Sequence, residues 1–321
     1  MIIDEKKIKM WSTIGPRATL GMALLEISQK MKDLIVLSGD VSTSAGLDRF
    51  RKLNPIQYVE LGISEQNMIG VATGLSSENF NVVTTTFAPF QTIRCCEQIK
   101  INLGYMKHKA TLVGLASGLA LGNLGYTHCC IEDIGILRSI PNLVIMSPAD
   151  SLETVKCLQE SLKSDKSVYI RLTGVSNNPI IYNKDYELKI GKSLKLLDGK
   201  DITIFSNGRM VYNSLKAAEK LKKEGIFASV INMHTIKPID TDAIKIAGKN
   251  KLIVSVEEHN IIGGLGSAIA ENLSEENNSS KLIRIGIKDN YTSGGSYEYL
   301  QKKHGLDPDN IVENILKNFK K

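Results

Sequence analysis

Leu143–Leu172 reads LVIMSPADSLETVKCLQESLKSDKSVYIRL. Two short apolar runs, Leu143–Met146 and Val168–Leu172, flank an amphipathic stretch, Ser151–Ser164. Runs this short and rich in β-branched residues read as strands buried on both faces, with a helical crossover between them. Strand, helix and strand in that order make a parallel unit. The alternation extends in both directions. Upstream, strands are predicted at Leu34–Leu37, Asn81–Thr86 and Thr111–Leu115. Downstream they are predicted at Ile202–Phe205, Ala228–Ile231, Leu252–Val256 and Leu282–Ile285. Helices are predicted over Arg17–Lys32, where Leu20, Ala23, Leu24 and Ile27 recur at helical spacing, and over Glu65–Ser77, Thr92–Leu103 and Tyr212–Glu224. The expected fold is α/β, with mostly parallel sheets flanked by helices. Gly174–Lys184 (GVSNNPIIYNK) is polar and loop-like, and Glu187–Leu197 reads as a hairpin-like start to a second series. Two domains are therefore expected, 1–187 and 188–321.

The composition agrees with two cores. The chain has 321 residues, 42% hydrophobic and 23% charged, ordinary for globular proteins and too apolar for a disordered chain. At about 150 residues per domain, that length fits two domains. No apolar run approaches the ~20 residues needed to span a bilayer. Met1–Met10 is charged rather than apolar, so no secretory signal is expected there. The net charge is +6, from 40 Lys+Arg against 34 Asp+Glu. The Lys-rich stretches 216–223 and 317–321 read as solvated surface rather than a nucleic-acid patch. The five cysteines, Cys95, Cys96, Cys129, Cys130 and Cys157, form neither a disulfide framework nor a Cys-x-x-Cys zinc motif. Free thiols in a cytoplasmic protein are expected.

Generic site signals are weak. Ile262–Ala270 (IGGLGSAIA) follows a predicted strand and could present backbone N–H groups to a phosphate, but it lacks the dinucleotide spacing and reads as a tight turn. The five histidines are scattered, with no helical metal pair. No Gly-x-Ser-x-Gly elbow is present.

Three further stretches are specific. They are Leu61–Met68 (LGISEQNM), Thr86–Gln98 (TFAPFQTIRCCEQ) and Gly125–Asp150 (GYTHCCIEDIGILRSIPNLVIMSPAD). Together they resemble the thiamine-diphosphate pyrimidine-binding domain of transketolase and of 1-deoxyxylulose-5-phosphate synthase. Ile231–Asp240 (INMHTIKPID), Val256–Gly266 (VEEHNIIGGLG) and Gly294–Asp307 (GGSYEYLQKKHGLD) resemble the transketolase C-terminal domain. The resemblance covers nearly the whole chain and implies a thiamine-diphosphate enzyme. Glu65 matches the glutamate that hydrogen-bonds the cofactor's pyrimidine and favours its imino tautomer. Phe87 and Phe90 match the aromatic slot for that ring, with Ile93 where a third aromatic often stands. Asp40 and Val41 match residues lining the cofactor cleft. His128 matches the imidazole facing the reacting carbonyl. Arg17 and Ser44 match contacts to the acceptor's phosphate.

Two departures carry further expectations. The family's Gly-Asp-Gly motif, whose Asp and a downstream Asn hold magnesium (or calcium) against the diphosphate, does not occur; Gly39-Asp40 followed by Asn67 only imitates its spacing. The resemblance therefore implies the C-terminal subunit of a split transketolase. A separate N-terminal subunit would carry the metal and diphosphate site, in a heterotetramer with two copies of each chain. No metal ligand is expected in this chain. The second departure concerns substrate: Leu124 replaces an acid that contacts a substrate hydroxyl, Ala116 replaces a phosphate-contacting His, and Gly174 replaces an Arg, with Arg171 nearby. An acceptor other than an ordinary pentose phosphate is expected, either unphosphorylated or carrying a larger group such as a nucleotide. Alternatives are a subunit like deoxyxylulose-phosphate synthase, one like the β subunit of a 2-oxoacid dehydrogenase, or a non-catalytic partner subunit. Neither nucleic acid nor membrane is an expected partner.

Overall fold

The computed structural model describes residues 2–276 and 280–319; Met1 and the last two lysines of the 317–321 stretch lie outside them. The first half contributes β1 (Leu34–Ser38), β2 (Tyr58–Glu60), β3 (Asn81–Phe87), β4 (Thr111–Leu115), β5 (Leu143–Met146) and β6 (Ser167–Arg171). The second contributes β7 (Leu194–Leu197), β8 (Ile202–Ser206), β9 (Ala228–Asn232), β10 (Thr235–Lys237), β11 (Leu252–Asn260) and β12 (Lys281–Ile287). They form a seven-stranded sheet in the order β10-β5-β6-β4-β3-β1-β2 and a five-stranded sheet in the order β12-β11-β8-β9-β7. Every pairing is parallel except β10 with β5 and β7 with β9.

Both faces of the first sheet are covered, and its strands β1, β4, β5 and β6 are buried at every position and read as largely apolar runs. Leu34 and Val36 face one core with Trp11, Leu24, Val155 and Leu158; Ile35 and Leu37 face the other with Met68, Ile69, Ile99 and Ile134. The second sheet repeats the arrangement. Leu252 and Val254 pack with Ala217, Leu221 and Ile311, and Ile253 packs with Ile269 on the opposite face.

Three local expectations are corrected. Glu5–Ser28 is two helical stretches joined at Gly15: the expected helix from Arg17 is the second, ending at Ser28 rather than Lys32, and an unexpected one capped by Asp4 precedes it. Gly15 has φ 83° and precedes Pro16, whose fixed φ suits the first turn of the second stretch. The predicted helix Thr92–Leu103 is broken. Short helices at Ala88–Gln91 and Cys96–Gln98 are separated by a turn, and a π-helical segment follows at Ile99–Tyr105. Thr92 Oγ1 binds the Ala88 carbonyl at 2.7 Å, a local bond that competes with helix continuation. Within Glu187–Leu197 only Leu194–Leu197 is a strand; it pairs with β9 and makes no hairpin. The short strand β10, from beyond residue 188, completes the edge of the first sheet.

Candidate active site

The chain direction across the first sheet reverses at β1, which has β2 on one side and β3 on the other. In open parallel sheets, a crevice for ligands forms at the carboxyl ends of strands at such a switch point. Gly39 follows β1, Phe87 ends β3, and Glu65 opens the helix Glu65–Ser77 between β2 and β3. A Cβ on Gly39 would lie 3.4 Å from Glu65 Cγ and 3.5 Å from Thr86 Cβ, which places the Glu65 side chain beside the ends of β1 and β3.

Glu65 is 2% exposed although it begins a helix. Its Oε2 accepts from Arg94 Nη1 at 2.7 Å, and among the described residues its Oε1 has no hydrogen-bond partner. The Arg94 guanidinium lies over the Phe90 ring, 4.1 Å from its centroid. Phe87, Phe90 and His128 complete an aromatic wall, with His128 edge-on at 5.4 Å from Phe90 and 6.2 Å from Phe87. His128 Nδ1 bonds Thr127 Oγ1 at 3.0 Å, leaving Nε2 as the other polar end of the ring. The structure thus brings together Glu65, Phe87, Phe90 and His128, which lie far apart in sequence. Ile93 is on the exposed turn after Phe90.

Asp40 and Val41 form the turn after β1. Asp40 is exposed with φ 58°, and Val41 is buried. Glu60 holds this turn: its Oε1 accepts from the N–H of Asp40 at 2.7 Å and of Gly62 at 3.1 Å. Burial alone would raise its pKa, but the hydrogen bond from Tyr58 and the two backbone donors outweigh burial and lower it. Arg17 and Ser44 share a separate cleft of about 300 Å³ with Gly15, Thr43 and Ser176. Burial lowers the Arg17 pKa, and no acid pairs with it among the described residues. Leu124 is 57% exposed on the loop that carries His128.

Arg94 and Glu60 were not singled out by the sequence reading. Arg94 stands four residues after Phe90 in TFAPFQTIR, a spacing that can set a cation over a ring, and this was the one available signal. Other candidates fall away. Arg171 is fully buried and paired with Asp133 at 2.8 Å, so it cannot replace a phosphate-binding arginine. The N–H groups of Leu265 and Gly266 in the Gly-rich turn are already held by Glu257 at 2.6 and 2.8 Å. Burial pushes the Cys95 thiol up to about 12 and Cys129 up to about 11, so neither is a nucleophile at neutral pH.

The family description "Transketolase, pyrimidine binding domain" matches residues 12–175, and "Transketolase, C-terminal domain" matches residues 191–311. The chain belongs to the transketolase family. It is 36% identical over 310 residues to an apulose-4-phosphate transketolase subunit of Phocaeicola vulgatus, covering 96% of this chain and 98% of that one. It is 37% identical over 290 residues to the 6-deoxy-6-sulfo-D-fructose transketolase subunit SqwH of a Clostridium species, covering 90% of this chain and 89% of that one. A solved structure described as "Split gene transketolase, inactive beta4 tetramer" superposes with a TM-score of 0.85 at 33% identity, covering 95% of this chain and 97% of that one.

Transketolases belong to the thiamine-diphosphate enzymes, and the residues here fit the pyrimidine end of that cofactor. The free Oε1 of buried Glu65 can bind a ring nitrogen, and the wall of Phe87 and Phe90 suits a flat heteroaromatic ring. Beside them, buried Thr86 Oγ1 has no partner. Nothing comparable suits a metal: among the described residues no group of three or more His, Cys, Asp and Glu side chains could hold one.

Proposed function

We propose that this chain is one subunit of a thiamine-diphosphate-dependent transketolase that moves a two-carbon ketol unit from a ketose to an aldehyde. The observation that carries this reading is the buried Glu65 carboxylate with one oxygen free, beside the aromatic wall that includes His128. When bound, the cofactor supplies the nucleophilic carbon that cleaves the ketose.

The chain's own residues prepare and steer that chemistry. Glu65 accepts or shares the proton at the pyrimidine nitrogen, and Arg94 anchors its other oxygen so that the carboxyl cannot swing away. Phe87 and Phe90 line the ring's slot and exclude water, and Val41, Asp40 and Ile93 border the cofactor cleft. His128 donates from Nε2 to the carbonyl oxygen of donor or acceptor as negative charge develops there. Arg17 and Ser44 hold an anionic end of the acceptor. Losing two charged contacts, at about 1.5–3 kcal/mol each, disfavours an ordinary pentose phosphate. The relatives named for unusual sugars support an atypical substrate.

A second chain is needed. This sequence contains no Gly-Asp-Gly, so the diphosphate and its magnesium are held mainly by a partner, in an assembly of two copies of each chain in the cytoplasm. The related split-gene β4 tetramer is described as inactive, which supports activity only in the complex. The test is calorimetry of thiamine diphosphate with magnesium against this chain, the partner carrying Gly-Asp-Gly, and their mixture. Tight binding in the mixture alone, with ketol transfer lost in Glu65→Gln, is expected. No binding in any mixture would favour a non-catalytic subunit. Efficient transfer from xylulose 5-phosphate to ribose 5-phosphate would sink the atypical-acceptor reading.

A further inference from the structure

The loop that carries Leu124 and His128 leaves the first sheet after β4, yet its anchors come from the second half of the chain. Gly118 and Cys130 close its base through a pair of backbone hydrogen bonds. Beside that base, Leu119 N–H donates to Glu258 Oε1 at 2.7 Å, and Tyr297 OH holds Glu258 Oε2 at 2.6 Å. Further along, Gly295 N–H donates to the Gly122 carbonyl at 3.0 Å. A side chain on Gly122 would collide with Leu300 and the Gly295 carbonyl, so the two segments meet backbone to backbone. Two residues before His128, Tyr126 OH bonds His304 Nε2 at 2.9 Å and Thr292 Oγ1 at 3.1 Å, and its ring lies 5.0 Å from that of Tyr291. Tyr291 OH in turn bonds Glu132 Oε1 at 2.8 Å. None of these anchors engages the side chains of Leu124, Thr127 or His128; Leu124 and Thr127 are exposed, and the His128 ring lies against Phe87 and Phe90.

We propose that the C-terminal domain positions the active-site loop, with Tyr126 and His304 as positioning residues that set where His128 and Leu124 stand. This rests on the transketolase reading for its kinetic consequence but not for its structural one. His304 ends the helix Tyr297–Lys303, and Gly305 then turns the chain with φ 72°. The imidazole is therefore carried by a fixed helix end, and a bond from it to the loop transmits that rigidity. Displacing a reacting imidazole by a fraction of an ångström lowers turnover without removing any group that binds the cofactor.

The experiment compares Tyr126→Phe, His304→Ala, His304→Gln and the double variant Tyr126→Phe/His304→Ala with the unaltered chain. Amide hydrogen exchange is read on this chain alone; turnover and thiamine diphosphate affinity are read on the reconstituted complex. In His304→Ala, exchange within 119–130 should rise about fivefold while the rest of the first sheet is unchanged. Ketol transfer should fall about tenfold, with cofactor affinity unmoved. His304→Gln, whose amide still reaches Tyr126, should restore most of both. The double variant should be no worse than Tyr126→Phe, because Tyr126→Phe alone already removes the bond to His304. Unchanged exchange in 119–130, or a loss of turnover matched by a loss of cofactor affinity, would overturn the proposal. An inactive wild-type complex would count against the transketolase reading alone, and the exchange measurement would still decide the loop's anchoring.

Discussion

Two regions of this protein bury acids, and they do opposite things with them. At the joint between the halves, Asp133 accepts from Arg171 and Tyr169, Glu258 from Leu119 N–H and Tyr297, and Glu257 from two backbone N–H groups. Arg171 also donates to the carbonyls of Cys130 and Glu258, tying both halves. At the sheet's switch point, Glu65 is as deeply buried but has one ion pair, to a partly exposed arginine, and one free oxygen. At the joint each acid is paired in the interior, with Arg171 Nη1 the one end of that network left without a partner, and such charge holds a fold together; a buried acid with an oxygen left over at the edge of a cleft is available for a ligand. Both regions stand near glycine-rich sequence, and only their partners tell them apart.

The comparison breaks first at Glu65. Glu65→Gln should lower ketol transfer by the reconstituted complex about 10²–10⁴-fold, the usual span for a lost acid–base group. The urea unfolding midpoint of the isolated chain should barely move, because a half-exposed ion pair contributes about 1 kcal/mol or less. At the joint the pattern should invert. Asp133→Asn leaves Arg171 buried without its countercharge and should cost about 3–5 kcal/mol in urea unfolding. A variant as stable as wild type would show that the joint's charges are not structural.

The pH dependence of stability sharpens the contrast. Burial lowers the pKa of His259, and likewise His234, from 6.5 to about 4, with Asp133 partly opposing the shift at His259. For such a group the unfolded chain binds the extra proton, so stability falls as pH drops from about 6.5 to about 4. Glu257 and Asp150 are raised by burial to about 7, so their contribution is greatest in acid and is lost as pH rises toward about 7. The two effects oppose each other across one window. Removing His259 with His259→Gln should unbalance them. Relative to wild type, the variant should gain about 2–3 kcal/mol as pH falls from 6.5 to 4. A parallel pair of stability curves would refute the neutral buried imidazole. The smallest effect is expected at Leu124, which is exposed. Leu124→Asp should change stability by less than about 0.5 kcal/mol while shifting acceptor preference about tenfold toward hydroxylated pentose phosphates, read as a ratio of kcat/KM values.

Much of the fold was legible because buried parallel strands announce themselves. Leu143–Met146 and Thr111–Leu115 are strands over those same residues. The short strands Tyr58–Glu60 and Thr235–Lys237 were missed, since three residues carry no period and their pairing depends on distant neighbours. In the candidate site, Glu65, Phe87, Phe90 and His128 were legible through motif resemblance, and they converge in space. Arg94 and Glu60 were not, because each acts through a partner 29 or 20 residues away.

The sequence by itself determined the two α/β halves, the family and the missing Gly-Asp-Gly, since periodicity and motif are properties of neighbouring residues. Only the tertiary structure decided which charged groups are spent and which are free. Arg171 is consumed by Asp133, the Gly-rich turn by Glu257, and the loop bearing His128 is held by Tyr297, Gly295 and His304 from the other half of the chain. Hydrogen-bonding capacity is settled by whatever group folding brings within about 3 Å, and a linear pattern carries no record of that distance.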